Sequence, residues 1–145
     1  MQSRLGLLIV PLLAGTLACS SRTSVSAFHL PLDGDAARGQ VAFVQLGCNG
    51  CHEVSGADLP RPTINPAVPV VLGGTVPKRI SDAYLVTSII NPNYDLAPYP
   101  KEQITAGGHS RMPQYDERIS VRQLTDVVAF MQAHYEVTRL PETYH

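Results

Sequence analysis

The sequence lacks a strong excess of charge, a long apolar run and any internal repeat, and each absence excludes a class of protein. Eleven lysines and arginines accompany twelve aspartates and glutamates, a formal net charge of -1, so no nucleic acid partner is indicated. Tryptophan is absent, and the histidines and carboxylates form no paired set that predicts a catalytic centre or a small-molecule substrate. At 145 residues the chain is long enough for one domain.

The N-terminal segment has the composition of an export signal. Arg4 supplies the positive charge, and residues 5–18 form an apolar run rich in leucine, isoleucine and alanine. A transmembrane helix needs roughly 20 apolar residues, so this run predicts a signal peptide over residues 1–18 rather than a permanent span. We therefore expect export to the periplasmic face of a bacterial membrane.

Two alternative signal-peptide cleavage sites follow the apolar run. The tetrapeptide TLAC at 16–19 is similar to the lipobox of bacterial lipoproteins, which would make Cys19 the lipidated first residue and anchor the chain to a membrane. The alternative is cleavage after Ala27, which would leave a soluble periplasmic protein. Because the first interpretation explains a cysteine at this place, we predict a flexible tether over 19–31 and a domain over 32–145.

The strongest helical signals lie at the two ends of the domain. Asp33 or Asp35 is placed to cap a first helix, apolar residues recur at helical spacing, and Gly47 is a typical C-terminal stop. Ser120 and Gln123 form a capping box before a last helix with a continuous apolar stripe. We expect these two helices to pack across each other.

One short helix and two long loops are predicted between them. Ser81 caps the short helix, which ends at Asn91 before a proline. Five prolines in residues 56–78 forbid a long helix and predict an ordered loop, and residues 91–112 are also loop-like. The predicted fold class is therefore all-α, a small domain of crossed N- and C-terminal helices with short helices and long loops.

Cys48-Asn49-Gly50-Cys51-His52 is the one CxxCH motif in the chain. Two cysteines separated by two residues can form thioethers with the two vinyl groups on one edge of a haem, and the next histidine is then placed under the iron. The motif predicts one covalent haem c on Cys48 and Cys51, with His52 as an iron ligand.

The alternatives to haem are a redox-active cysteine pair and half of a zinc site. A thioredoxin-like pair needs a βαβ context, which the sequence does not show. A structural zinc site needs two more ligands at matching spacing, and only the scattered His109, His134 and His145 are available. The haem interpretation is preferred.

Met112 is the predicted second axial ligand. Its thioether favours Fe(II) and raises the reduction potential, and Pro113 keeps the methionine out of the helical region, which helps to present the sulfur from a loop. Met131 is a rival on the apolar stripe of the last helix, and His109 would give a bis-histidine iron. An open sixth position is the remaining alternative.

With these motifs the chain resembles a class I mono-haem cytochrome c over about residues 33–138. Gly39 and Phe43 before the CxxCH motif, and Phe130 in the last helix, carry the resemblance together with the methionine-proline pair. It implies that Gly39 permits a close approach of the first and last helices and that the two phenylalanines pack around it. It also implies a proline carbonyl that accepts a hydrogen bond from the haem histidine, for which Pro69 is the best match and Pro66 the alternative.

The function predicted from the motif and the resemblance is single-electron transfer between redox protein partners, without enzymatic activity of its own. Two other functions stay open. The chain could be a cytochrome subunit of a larger oxidoreductase, or an open-site haem protein with peroxidase or gas-binding activity if Met112 does not bind iron.

Overall fold

The computed structural model describes residues 29–30, 33–60, 68 and 70–138. The predicted signal peptide, Cys19, the cleavage sites and Pro69 lie outside these residues. Within them the α-helices are α1 (Ala36–Gln45), α2 (Asp82–Ile90), α3 (Lys101–Ile104) and α4 (Val121–Gln132), with a 3₁₀ turn at Cys48–Gly50. None of the helices in this part of the chain is long and apolar enough to cross a bilayer.

The prediction of an all-α fold is wrong, because the described residues also contain short strands. The strands are β1 (His52–Val54), β2 (Val70–Leu72), β3 (Gly74–Val76), β4 (Thr105–Ala106), β5 (His109–Ser110) and β6 (Tyr135–Val137). They form parallel pairs β1–β2 and β3–β6 and an antiparallel pair β4–β5. Strands of two or three residues are too short to show the alternation that identifies a strand in a sequence. Four of them lie in the segments predicted as loops.

The N terminus of α1 is tied to α4 by a buried carboxylate. Asp35 is the N-cap, and its side chain accepts a hydrogen bond from the Arg38 backbone N–H at 2.8 Å. Asp126 accepts from the Asp35 backbone N–H at 2.9 Å and from two guanidinium nitrogens of Arg38 at 2.9 and 3.0 Å. The Arg38 hydrogen bond is the main cause that holds the pKa of the Asp126 carboxyl below its usual range. Asp126 is 3% exposed, so this carboxylate lies inside the domain.

Helices α1 and α4 cross at Gly39. A Cβ at this position would lie 2.7 Å from the Phe130 Cβ and would overlap the backbone carbonyl of Asp126, so only glycine permits the approach. The rings of Phe43 and Phe130 meet edge to face beside the crossing, with centroids 5.5 Å apart. The predicted crossing and the packing of these three residues are confirmed.

Local caps begin the other two long helices where the sequence predicts. Ser120 and Gln123 form the capping box of α4, with hydrogen bonds of 3.2 and 3.1 Å in the two directions. Ser81 caps α2 by accepting a hydrogen bond from the Tyr84 backbone N–H at 3.2 Å. Both helices contribute to a core that consists of Ala42, Phe43, Val54, Leu85, Val86, Ile89, Tyr115, Val127, Val128, Phe130 and Met131.

Candidate functional site

The two cysteines of the motif lie on one tight turn. Gly47, at φ 74°, ends α1 in the left-handed region and leads directly into the 3₁₀ turn. The backbone N–H of Cys51 donates to the carbonyl of Cys48 at 3.2 Å. Cys48 begins the 3₁₀ turn and Cys51 follows it as the C-cap residue, so the two cysteines lie at the two ends of one turn. Both are half-buried and free.

Tyr115 covers the first of these cysteines. Its hydroxyl donates to the Leu46 carbonyl at 2.9 Å and lies beside the Cys48 thiol. Burial raises the pKa of the Cys48 thiol to about 11. Burial, together with the neighbouring Cys48, raises the pKa of Tyr115 to about 12. Both groups are therefore uncharged at neutral pH, and the nearby charge is that of Arg118, whose guanidinium carbon lies 5.5 Å from the centroid of the Tyr115 ring.

Sequence reasoning missed Tyr115. The residue lies outside helices and strands, so no periodic pattern marks it as buried, although it is 5% exposed. The available signal was its place three residues after Met112, in the segment predicted to present an iron ligand.

His52 opens β1 directly after the second cysteine, opposite Val70 of β2. Its Nδ1 lies 3.4 Å from the Val70 carbonyl oxygen. Because a carbonyl only accepts, Nδ1 carries the hydrogen and the lone pair of Nε2 is free for a metal. Burial lowers the pKa of the His52 imidazole below its ordinary value, and the Val70 carbonyl partly offsets this effect. The neutral, metal-binding form is therefore favoured.

The carbonyl that faces His52 was predicted to belong to Pro69 or Pro66. Both prolines lie outside the described residues. Their part therefore stays a prediction, and among the described residues a carbonyl within reach of His52 belongs to Val70, the next residue after Pro69. The type of contact is thus the one that the resemblance implies, with Val70 as the acceptor.

Met112 lies on a segment that is fixed by hydrogen bonds. Its backbone N–H donates to the Ser110 hydroxyl oxygen at 3.1 Å, and the Ser110 N–H donates to Asn93 Oδ1 at 2.7 Å. Met112 is half-buried and packs against the same hydrophobic core as Cys48. Tyr115, shortly after Met112, donates to the Leu46 carbonyl at the end of α1 and lies beside Cys48, so this segment lies close to the CxxCH turn.

The rival ligands have different environments. Met131 is 4% exposed and is one of the core side chains of α4. His109 is exposed on β5. Among the described residues, no three histidine, cysteine, aspartate or glutamate side chains are grouped so that they could hold a metal ion.

The donor atoms of the site fit a covalently attached haem. Two free thiols on one turn match attachment to one edge of the macrocycle, and the imidazole that follows offers Nε2 for the iron. A family model described as Cytochrome c matches residues 36–134, which is more than half of the chain. A search of curated proteins found no match to the chain. The chain therefore belongs to the cytochrome c family, and its cofactor is a covalent c-type haem for which Cys48 and Cys51 complete the CxxCH motif.

Proposed function

We propose that the protein is a single-electron carrier with one haem c attached to Cys48 and Cys51. The observation that carries the proposal is the His52 ring, whose Nδ1 donates to the Val70 carbonyl and leaves Nε2 for the iron. Bound there, the haem supplies an iron that changes between Fe(III) and Fe(II). Membership of the cytochrome c family supports electron transfer rather than catalysis.

The chain's own residues orient the ligand and keep water away from it. The Val70 carbonyl fixes the ring of His52 and makes its Nε2 a stronger donor by accepting the Nδ1 hydrogen. Tyr115 and the core side chains near the CxxCH turn are largely apolar, and an apolar surrounding favours the less charged redox state of a haem.

Met112 is the proposed second axial ligand. Its backbone N–H is held by Ser110, and its side chain is half-buried at the edge of the core that Cys48 also contacts, which supports a place beside the haem. Met131 is a buried core side chain of α4, and His109 is exposed on the surface. Both are therefore less suited than Met112 to be the second axial ligand. A thioether ligand raises the reduction potential and suits an electron carrier.

We also propose that the carrier works at the periplasmic face of a bacterial membrane and exchanges electrons with redox proteins that dock transiently. The support is the N-terminal sequence, in which an apolar run precedes Cys19 in a lipobox-like context. A lipid on Cys19 would restrict diffusion to the membrane surface. Cleavage after Ala27 would release the same domain into the periplasm.

Absorption spectra of the haem-loaded protein test this function. In the oxidised protein we expect a low-spin haem with a weak near-infrared band from the methionine–iron bond. Met112→Ala is expected to abolish the band while the covalent haem remains. Met131→Leu, a volume-conserving core substitution, is the control that keeps it. A band that survives in Met112→Ala would show that Met112 is not the ligand. A high-spin haem in the wild type would favour an open-site haem protein over an electron carrier.

The intact mass of the same preparation tests the N terminus. A diacylated chain that begins at Cys19 supports the lipoprotein, and Cys19→Ser is then expected to lose the membrane-bound form. A mature chain that begins at Phe28 would instead support ordinary signal peptidase cleavage.

A further inference from the structure

Residues 70–76, here called the strap, connect the haem motif to the end of the C-terminal helix. The first half of the strap is β2, which pairs with β1 so that Val70 lies opposite His52. The second half is β3, which pairs with β6 beyond α4. The strap changes its partner at a single residue, Gly73.

The point at which the strap changes partner is tightly packed. The Ser55 N–H donates to the Leu72 carbonyl at 2.8 Å, and the Gly74 N–H donates to the His134 carbonyl at 2.7 Å. Gly73 lies between them at φ 78°, and a Cβ there would be 2.8 Å from the His134 carbonyl oxygen. A side chain at Gly73 therefore forces the strap and the end of α4 apart.

His134, which contacts the strap, is itself packed on the buried core residue Phe130. His134 donates from Nδ1 to the Phe130 carbonyl at 2.8 Å, and its ring meets the Phe130 ring at a centroid distance of 4.8 Å. Phe130 is 1% exposed. At the other end of β3, the Thr138 N–H donates to the Val76 carbonyl at 3.0 Å. The strap is thus held from its middle to its end by residues that follow α4.

We propose that Gly73 and β6 position the Val70 carbonyl and thereby set the donor strength of the haem histidine. The inference rests on the proposed function, because it takes His52 as an iron ligand. The Nδ1–O distance of 3.4 Å is at the long end for a hydrogen bond, so further displacement of the strap breaks it. A ring that loses this acceptor is a weaker donor, which destabilises Fe(III) and raises the reduction potential. Gly73 is therefore a positioning residue that acts through Val70.

Gly73→Ala tests the inference, with Gly56→Ala as the matched control. Gly56 has a similar backbone angle, φ 76°, but its nearest contact to an added Cβ is 3.9 Å away. Both variants carry the backbone strain, and only Gly73→Ala pushes the strap from His134. We expect a higher reduction potential in Gly73→Ala than in Gly56→Ala and the wild type. Exchange of the His52 Nδ1 hydrogen, followed by NMR in the reduced protein, is expected to be faster.

A second variant keeps the test decisive if Gly73→Ala does not fold. Thr138→Pro removes the N–H that donates to Val76 and is expected to shift the potential upwards by a smaller amount. Equal potentials in Gly73→Ala and Gly56→Ala, or an unchanged potential in a folded Thr138→Pro, overturn the inference. A wild-type protein without covalent haem, or with an iron that His52 does not bind, overturns the proposed function instead.

Discussion

At the scale of single residues, Asn93 helps to hold the segment that contains Met112. Its Oδ1 accepts the Ser110 N–H at 2.7 Å, and the Ser110 hydroxyl accepts the Met112 N–H at 3.1 Å. The segment around Met112 is irregular, so a side-chain acceptor takes the place of a partner that a helix or sheet would provide. The position of the methionine thus depends on a distant asparagine.

Removal of this acceptor is expected to loosen the methionine. Asn93→Ala leaves the Ser110 N–H without its partner, at a cost of about 1 kcal/mol. With Met112 as the proposed ligand, added imidazole competes for the iron and is expected to bind about threefold to tenfold more tightly. Asn93→Asp retains the acceptor oxygen and is expected to behave like the wild type. Titrations followed by visible absorption measure the affinity, and equal affinities in Asn93→Ala and the wild type would contradict the role of Asn93.

Residues of the site differ in how far the sequence reveals them. Cys48, Cys51 and His52 form a local motif whose spacing already indicates its chemistry. The Val70 carbonyl is a backbone group, and its place opposite His52 depends on a strand register between distant segments. Tyr115 is buried by the packing of a non-helical segment, which no periodicity reports. Chemistry carried by neighbours in sequence is predictable, and chemistry assembled by tertiary pairing is not.

At the scale of elements, the starts of the helices could be predicted from local sequence, whereas the parallel strand pairs could not. The caps Asp35, Ser81 and Ser120 act on backbone groups within a few residues, so the helix starts follow from the sequence. The parallel pairs β1–β2 and β3–β6 join remote segments and have three residues on each side. The β4–β5 hairpin did have a local signal, because Gly107 and Gly108, with φ of 60° and 83°, form its turn.

The crossing of α1 and α4 predicts the effect of one added methyl group. In Gly39→Ala the Cβ would meet Phe130 and the backbone of Asp126, and this overlap exceeds the gain in helix propensity. We expect the free energy of unfolding to fall by about 1–3 kcal/mol. The exposed Val41→Ala on the same helix is the control, with a change within about 0.5 kcal/mol. Denaturant unfolding measures both, and a Gly39→Ala protein as stable as the Val41→Ala protein would show that the helices can separate without loss.

At the scale of the whole molecule, the hydrogen bonds of Asp126 join the first helix to the last. The pKa of this carboxyl is lowered in the folded protein, mainly by Arg38. Its ionised form therefore adds stability above the pKa of an unfolded aspartate, about 3.9, and this contribution is lost as the pH falls through the lower folded value. Acid should weaken the contact between the two ends of the domain.

Asp126→Asn is expected to lower the stability at pH 7 and to reduce its loss on acidification. The amide cannot ionise, so the difference from the wild type should shrink as the pH falls below about 4. Denaturant unfolding between pH 7 and pH 3 measures the difference, with the exposed Asp116→Asn as the control. A difference that stays constant over this range would contradict the part assigned to the ionised carboxylate.

The crossing of α1 with α4 also determines the order in which the domain can fold. Phe43 meets Phe130 of α4, Gly39 lies against the same helix, and the second half of the strap pairs with β6. These contacts join segments that are far apart in the sequence, so a large loop must close before α1 can pack against α4. We therefore expect the CxxCH turn, directly after α1, to be more accessible before these two helices meet than in the folded domain.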